Sequence, residues 1–479
     1  MTTPSYNKGS CNVCETRLEY PSEMEGGEIQ CPTCQQTTLL LSESASSTET
    51  KAAANPAPAW DAMTLRAGFV GNIPPTRVSL LYQVGLLIVT ATMVILPLIY
   101  LGLIVAVAWA TSYSATHFNP MALGGGSVRL RFFLIIVYIT PIFAGVVLVL
   151  FMVKPFFARR GPAAQPLALN PGAEPALFSF VTRLCESIGA PFPTRIDVDC
   201  QLNASASFRR GMLSFLGSDL VLTIGAPLVA GLTLQQFAGV LAHEFGHFTQ
   251  GFGMRLTYVI RRINGWFARV VYERDSWDMV LEEWAADSDY RVALMVGIAR
   301  LGVWLSRLVL RALMLAGHGI GCFMLRQMEY DADSYQIKVA GSACFESAMR
   351  RINILGASME GAYKHVRTTW NMSKALPDDL AFFLVKHDAH LPAERRTELE
   401  DTLGLQTTGL WDTHPSSGDR IRKARQSGEP GIFHLVAPAS VLFGNFEAIS
   451  KQVTLLHYQD DLQLPLLIAK LRPSDSFKL

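Results

Sequence analysis

The chain has 479 residues and a formal charge of +1, so its overall charge gives no reason to expect a nucleic-acid partner. Half of its residues are hydrophobic, only 17% are charged, and the mean hydropathy is +0.25. These values favour a membrane protein over an ordinary soluble one. The first 30 residues lack a basic stretch followed by an apolar one, so we expect no cleavable signal peptide.

Four cysteines near the N-terminus occur in the pairs "CNVC" and "CPTC", separated by sixteen residues. This spacing is typical of a zinc ribbon, in which two tight turns direct four thiolates at one structural zinc ion. The alternative is a pair of disulfides in a secreted domain, which the missing signal peptide disfavours. We therefore predict a zinc ribbon over residues 1–40 that is available to bind a protein partner. Its ligands are Cys11, Cys14, Cys31 and Cys34.

Residues 41–78 begin with a stretch rich in Ser, Ala and Pro, which is typical of a flexible linker. Two long apolar runs follow, one from Ser79 to Ala110 and one from Phe132 to Val153. Each exceeds the 10–14 residues expected of a buried helix in a soluble protein. We predict two transmembrane helices with a connecting loop over residues 79–153.

Basic residues flank the outer ends of this pair more often than they occur in its connecting loop. The positive-inside rule then predicts that both flanks are cytoplasmic. We expect an integral protein of the inner or plasma membrane, if the source is bacterial, with the ribbon and the later domain in the cytoplasm. The flanking residues are Arg66, Arg77, Lys154, Arg159 and Arg160, and the loop residues are Arg129 and Arg131.

A globular domain is predicted over residues 160–435, followed by a C-terminal extension over 436–479. Arg195–Cys200 and Asp219–Ile224 have the composition of short strands. We predict a predominantly helical α+β fold with a small antiparallel sheet.

One predicted helix carries the sequence "HEFGH". It begins after Thr233, which forms a capping-box pattern with Gln236. His243 and His247 are four residues apart, so both side chains project from one face. Such a pair binds zinc, while the adjacent Glu244 accepts a proton from water near the metal.

A catalytic zinc site needs a third protein ligand. Glu329 and Asp333, in "EYDAD", are four residues apart on another predicted helix. Glu329 would complete the zinc site, and Asp333 would orient a ligand histidine through a hydrogen bond. The alternative is an ordinary solvated acidic helix face.

Four motifs together resemble the integral-membrane zinc metallopeptidases that include the type I CAAX prenyl protease and the heat-shock protease HtpX. These motifs are "HEFGH", "EYDAD", "NASAS" at 203–207 and "THPSSGDRI" at 413–421. The resemblance covers about residues 160–430 and the preceding spans.

The resemblance implies further site residues. Asn203 and Ala204 would bind the substrate backbone along an edge strand, and His414 would stabilise the oxyanion. Arg420 would pair with Asp333. It also implies that the substrates are membrane-associated or misfolded membrane proteins.

Residues 252–325 separate the two zinc-binding helices as a helical insert. Its last part, Val292–Leu325, is apolar but carries Arg300, Arg307 and Arg311 on one helix face. Because three central arginines disfavour a helix that faces lipid, the insert is predicted either to pack at the membrane interface or to bury its basic stripe against a partner, and whether it spans the bilayer stays open.

The sequence predicts a membrane zinc metalloendopeptidase with one catalytic and one structural zinc ion, polypeptide substrates and a lipid bilayer around it. The alternative is a membrane scaffold in which a protease-like domain binds polypeptides without cleaving them. Glu244 discriminates between the two, because a scaffold has no need of the general base.

Overall fold

The computed structural model describes residues 6–10, 17–24, 28–33, 37–39, 60–74, 80–117, 127–157, 165–208, 219–249, 252–272 and 290–478. The chain divides into two compact units, Met1–Asp61 and Ala62–Leu479. The helices of the second unit, in chain order, are α1 (Ala62–Ala67), α2 (Leu80–His117), α3 (Val128–Phe157), α4 (Pro175–Ile188), α5 (Ala226–Gly231), α6 (Leu234–Gly246), α7 (Phe252–Tyr272), α8 (Tyr290–Ala340), α9 (Ser342–Ser373), α10 (Leu380–Ala389), α11 (Ala393–Leu405), α12 (Ser417–Ser427) and α13 (Phe446–Leu456).

The first unit contains two short antiparallel pairs of strands. β1 (Tyr6–Ser10) pairs with β2 (Arg17–Pro21), and β3 (Glu28–Gln30) pairs with β4 (Thr37–Leu39). Cys31 is buried directly after β3. Cys11, Cys14 and Cys34 lie outside the described residues, so the zinc ribbon stays a prediction.

Part of the predicted flexible linker is folded. Residues 60–74 include α1, and the side chains of Leu65, Phe69 and Ile73 are buried in the second unit. The backbone N–H of Val70 donates to the carbonyl oxygen of Ile432 at 2.7 Å. The prediction of a linker over 41–78 is wrong for this stretch, because its apolar side chains find partners in the second unit, where the ring of Phe69 packs on those of Phe180 and Phe433.

Within the part of the chain that the structure describes, three helices are long and apolar enough to cross a membrane. They are Tyr82–His117 in α2, Val128–Phe157 in α3 and Arg300–Ala340 in α8. With α7 they pack into a bundle around a common apolar core. The buried Tyr100 of α2 joins three of these helices, because its hydroxyl donates to the carbonyl oxygen of Met152 at 3.0 Å and is 2.9 Å from the hydroxyl of Ser306.

Helix α8 continues without interruption from the apolar insert through Glu329 and Asp333. The predicted boundary of the insert at residue 325 is therefore wrong. Two glycines of "AGHGIG", residues 316–321 within this helix, are sites of close packing. A Cβ atom at Gly317 would lie 2.6 Å from Leu96 Cδ1, and one at Gly319 would lie 2.8 Å from Trp411 Cζ3.

The main sheet has four strands, in the order β5, β6, β8, β7. They are β5 (Leu167–Ala168), β6 (Arg195–Asp199), β7 (Ala204–Phe208) and β8 (Leu220–Gly225). The two strands predicted from the sequence are β6 and β8. The predicted antiparallel sheet is instead mixed, because β8 lies between β6 and β7. Two successive reversals of the chain leave β6 and β8 parallel.

The C-terminal residues pack into the second unit. β10 (Lys470–Arg472) pairs in parallel with β9 (Ala375–Pro377), and the hydroxyl of the buried Tyr458 donates to the carbonyl oxygen of Pro377 at 3.0 Å. Residues 436–479, predicted as a separate extension, thus form part of the same fold as α10.

Candidate metal centre

Helix α6 begins with the predicted capping box. The hydroxyl oxygen of Thr233 accepts from the backbone N–H of Gln236 at 3.3 Å, and the side-chain oxygen of Gln236 accepts from the Thr233 N–H at 3.1 Å. Glycines then let α6 approach α8 closely. A Cβ atom at Gly246 would lie 3.1 Å from the ring of Tyr335, and one at Gly239 would lie 3.0 Å from Ala340 Cβ. This contact brings the histidine-bearing face of α6 against α8.

The structure brings His243, His247 and Glu329 together. Nε2 of His243 is 3.6 Å from one carboxylate oxygen of Glu329, and Nε2 of His247 is 3.8 Å from the other. His247 lies just beyond the last residue of α6, but its backbone is still helical (φ −62°, ψ −21°), so it stays one turn after His243. The two rings are perpendicular, with centroids 4.9 Å apart.

This group fits a zinc ion. One ligand atom from each residue lies within 4.8 Å of the other two. Tetrahedral zinc with ligands at about 2.0–2.1 Å requires about 3.3 Å between ligand atoms, so small side-chain shifts close the site. Two imidazoles and a carboxylate are the donors that catalytic zinc prefers, and the carboxylate is buried where a cation would balance its charge.

Asp333 connects the metal site to α12. Its Oδ1 atom is 3.0 Å from Nδ1 of His243. Arg420 donates to both oxygens of Asp333, from Nε at 2.8 Å and from Nη2 at 2.5 Å. This bidentate pair fixes the carboxylate beside His243.

The charges around the site shift the pKa values of His243 and Arg420. Burial lowers the pKa of His243, but Asp333 and Glu329 outweigh it and raise the pKa to about 9. Burial likewise disfavours the charge on Arg420, whereas Asp333 raises its pKa, with smaller contributions from Glu329 and Glu244. The site is thus built to hold positive charge.

His414 approaches the metal group from a loop. Its Nδ1 atom is 3.4 Å from Glu329, while its side chain is 68% exposed. Glu244 is half-buried on α6, next to His243 in the chain. A ring that is both close to the carboxylate and open to solvent is accessible to a bound substrate.

The strand predicted to bind substrate lies at an edge of the main sheet, where β7 pairs with β8. Asn203 is exposed just before it, and the side chain of Ala204 is buried at its start. The other end of the strand contacts the residue that follows His247, because the ring of Phe208 packs edge-to-face on Phe248 with centroids 5.7 Å apart. Phe208 directly follows the "NASAS" motif and is not among the predicted site residues.

A model of peptidase family M48 matches residues 171–427. No curated protein and no solved structure matches the chain. The matched region contains both helices of the metal group and the loop that carries His414, and it covers more than half of the chain. The chain therefore belongs to peptidase family M48 and is a metallopeptidase.

Proposed function

We propose that this metallopeptidase is a zinc-dependent endopeptidase of the membrane that cleaves membrane-associated or misfolded proteins. The observation that carries the proposal is the convergence of His243, His247 and Glu329, from two helices, on one buried point. The three long apolar helices support a location in a bilayer. We infer that the protease domain and the ribbon are cytoplasmic from the basic residues that flank the first two spans.

The three converging side chains would hold the zinc ion. Bound zinc supplies Lewis acidity, which polarises a scissile carbonyl and makes nearby water acidic near neutral pH. Glu244 takes the proton of the attacking water and later gives it to the leaving amine. His414 donates a hydrogen bond to the developing oxyanion, and Asp333, held by Arg420, keeps the ring of His243 in place.

The edge strand β7 is the proposed substrate-binding strand. A peptide that adds to this edge as a further strand would be held by main-chain hydrogen bonds, which require little of the substrate sequence. Asn203 and Ala204 would contact it at one end and Phe208 at the end that contacts Phe248.

A second zinc ion is proposed for the N-terminal unit, with Cys11, Cys14, Cys31 and Cys34 as ligands. Two short strand pairs and the C-x2-C spacing support it. Such a site is closed and structural, and its surface would recruit a protein partner.

The experiment that tests the catalytic proposal is Glu244→Gln in detergent-purified protein. We expect unchanged zinc content and a loss of about 10²–10⁴-fold in casein cleavage and self-cleavage. The matched control is Glu360→Gln, the same substitution at an exposed position of α9, which should leave proteolysis unchanged. Undiminished cleavage in Glu244→Gln would remove Glu244 from the mechanism, and zinc-free protein with full activity would contradict the proposal as a whole.

A further inference from the structure

His414 has few contacts of its own to hold it beside Glu329. Its side chain is largely exposed, and among the described residues it has one short polar contact, the 3.4 Å approach to the carboxylate. Its position therefore depends on the backbone of the loop that carries it. We call residues 406–416 the histidine loop.

The base of the histidine loop is fastened to α12. The backbone N–H and the hydroxyl of Thr408 both donate to Asp419, at 2.7 and 2.5 Å. The backbone N–H of Ser416 donates in turn to the hydroxyl of Thr408 at 2.9 Å, and the Ser416 hydroxyl donates to the carbonyl of Gln406 at 3.0 Å. These bonds close the loop on itself, as in a compact Ω-loop.

The tip of the histidine loop is held by α8 instead. Nη1 of Arg326 lies within hydrogen-bond distance of three carbonyl oxygens, those of Gly409 at 3.3 Å, Leu410 at 3.0 Å and Asp412 at 2.9 Å. The carbonyl of Trp411 accepts from Nε2 of His318 at 2.6 Å. It also accepts from the thiol of Cys322 at 3.4 Å.

These donors occupy one face of α8. His318, Cys322 and Arg326 are four residues apart in succession, so they stand above one another along the helix. Glu329 follows one turn later on the same helix. The indole of Trp411 lies against Gly319, which only a residue without a side chain permits, because an added Cβ would meet Cζ3 at 2.8 Å.

We propose that Arg326 is a positioning residue, which fixes His414 beside the metal group by binding the carbonyls of the histidine loop. Helix α8 then positions both the carboxylate ligand Glu329 and, through Arg326, the His414 side chain that stabilises the oxyanion. The inference rests on the proposed role of His414. Arg326 touches neither metal nor substrate, so its loss should affect the rate of the chemical step and not the binding of either.

The test compares kcat, KM and zinc content for a peptide substrate in Arg326→Met, Arg326→Lys, His414→Ala and the double variant Arg326→Met/His414→Ala. We expect Arg326→Met to lower kcat by about 10- to 100-fold, with KM and zinc content unchanged, because small displacements of a catalytic group cost that much. Arg326→Lys, which keeps a donor to the carbonyls, should recover most of the rate. In the His414→Ala background, Arg326→Met should change kcat less than about 2-fold, since the two act in series.

The matched control is Arg350→Met, which removes another arginine that donates to a backbone carbonyl, that of Glu400 at 3.0 Å, away from the histidine loop. It should retain the parent kcat. Gly319→Ala provides a second route to the same displacement, because the new methyl group pushes on Trp411 and leaves every donor intact. It should lower kcat in the same way even if Arg326→Met proves unstable.

The outcomes separate this inference from the proposed function. Full kcat in Arg326→Met or in Gly319→Ala, with a large loss in His414→Ala, would overturn the positioning role and leave the proposed function intact. Full kcat in His414→Ala would instead overturn the role proposed for His414 itself. If the fold-losses in kcat of Arg326→Met and His414→Ala multiply in the double variant, the two residues act independently. That result would also contradict the inference.

Discussion

Glu329 and Asp333 lie one helical turn apart on α8, but their surroundings differ. Glu329 faces two imidazoles and His414, whereas Asp333 is bound in a bidentate pair by Arg420. The first carboxylate lies among imidazoles that could share a cation with it, and the charge of the second is already balanced by a guanidinium. These different partners explain why Glu329 is proposed as a metal ligand and Asp333 as the group that orients His243.

Asp333→Asn should therefore weaken zinc binding without removing a ligand. The amide keeps the size of the side chain but loses the charge that faces His243 and Arg420. We expect zinc affinity to fall by about 10- to 100-fold in a competition with a chelator. Asp331→Asn, two residues away on the same helix, is the control and should bind zinc like the parent. Equal affinity in the two variants would argue against the orienting role.

A second prediction concerns how the stability of the fold depends on pH. Hydrogen bonds from Arg425 lower the pKa of Glu346, partial burial opposes them, and Arg350 assists. A carboxyl group with a lowered pKa stabilises the fold above its unfolded pKa of about 4.3, and this contribution is lost as the pH falls through the lower folded value.

Glu346→Gln should therefore be less stable than the parent at pH 7, by about 1 kcal/mol after solvent screening of the exposed Arg425. The difference in thermal unfolding midpoint in detergent should shrink towards zero as the pH is lowered below about 4. High salt should also reduce it. A difference that is constant over this pH range would exclude the ion pairs as its cause.

The sequence predicted much of the metal group, because the spacing within "HEFGH" and "EYDAD" fixes which side chains share a helix face. It could not predict the role of Arg326 or the contact of Phe208 with Phe248. Both depend on contacts between segments that are distant in the chain. Neither Arg326 nor Phe208 lies in one of the four motifs.

At the scale of elements, α8 shows where local signals mislead. The predicted end of the insert, residue 325, lies close to the glycines of "AGHGIG" at 316–321. In the structure they allow Leu96 and Trp411 to approach the helix axis, and the helix passes through them. Strands β6 and β8 were predictable from their composition, but their parallel pairing was not, since strand order is a property of the whole sheet.

Tyr100→Phe tests the packing of the long apolar helices. It removes the hydroxyl that joins α2 to Met152 and Ser306 and keeps the ring. We expect a loss of about 1 kcal/mol in resistance to unfolding in mixed micelles, the usual size for a polar contact between membrane helices. Tyr113→Phe is the control on the same helix, because Tyr113 is half exposed and its stacking on Trp109 and His117 survives the change. An equal loss in Tyr113→Phe would show that the contacts of the Tyr100 hydroxyl add nothing to the stability of the helix bundle.

At the scale of the whole molecule, the boundary between the two units lies at residue 61. Composition alone placed the end of the linker at residue 78, because the apolar residues of 60–74 are interspersed with polar residues and glycines and form no long run like the one that starts at Ser79. Their burial is a tertiary effect, as is the incorporation of residues 436–479 through β10.

Two truncations follow from this boundary. A variant that lacks residues 1–59 should keep its unfolding midpoint and peptide cleavage, while bound zinc falls from two ions to one per chain. A variant that lacks residues 1–74 also loses Leu65, Phe69 and Ile73, each worth about 1.5–3 kcal/mol of burial, and should unfold at a much lower temperature. Metal analysis and calorimetry measure both effects, and one zinc ion in the full chain would contradict the ribbon.

The 51 residues of α8 form a rod about 75 Å long, with an apolar half at one end and a metal ligand near the other. A flexible hinge would absorb a displacement of the apolar end, whereas an unbroken helix transmits it to the other end as a change of tilt. With that end in a bilayer, the thickness and tension of the lipid would act directly on the carboxylate at residue 329. Mechanical stress in the surrounding membrane would thereby shift a metal ligand and change the rate of catalysis.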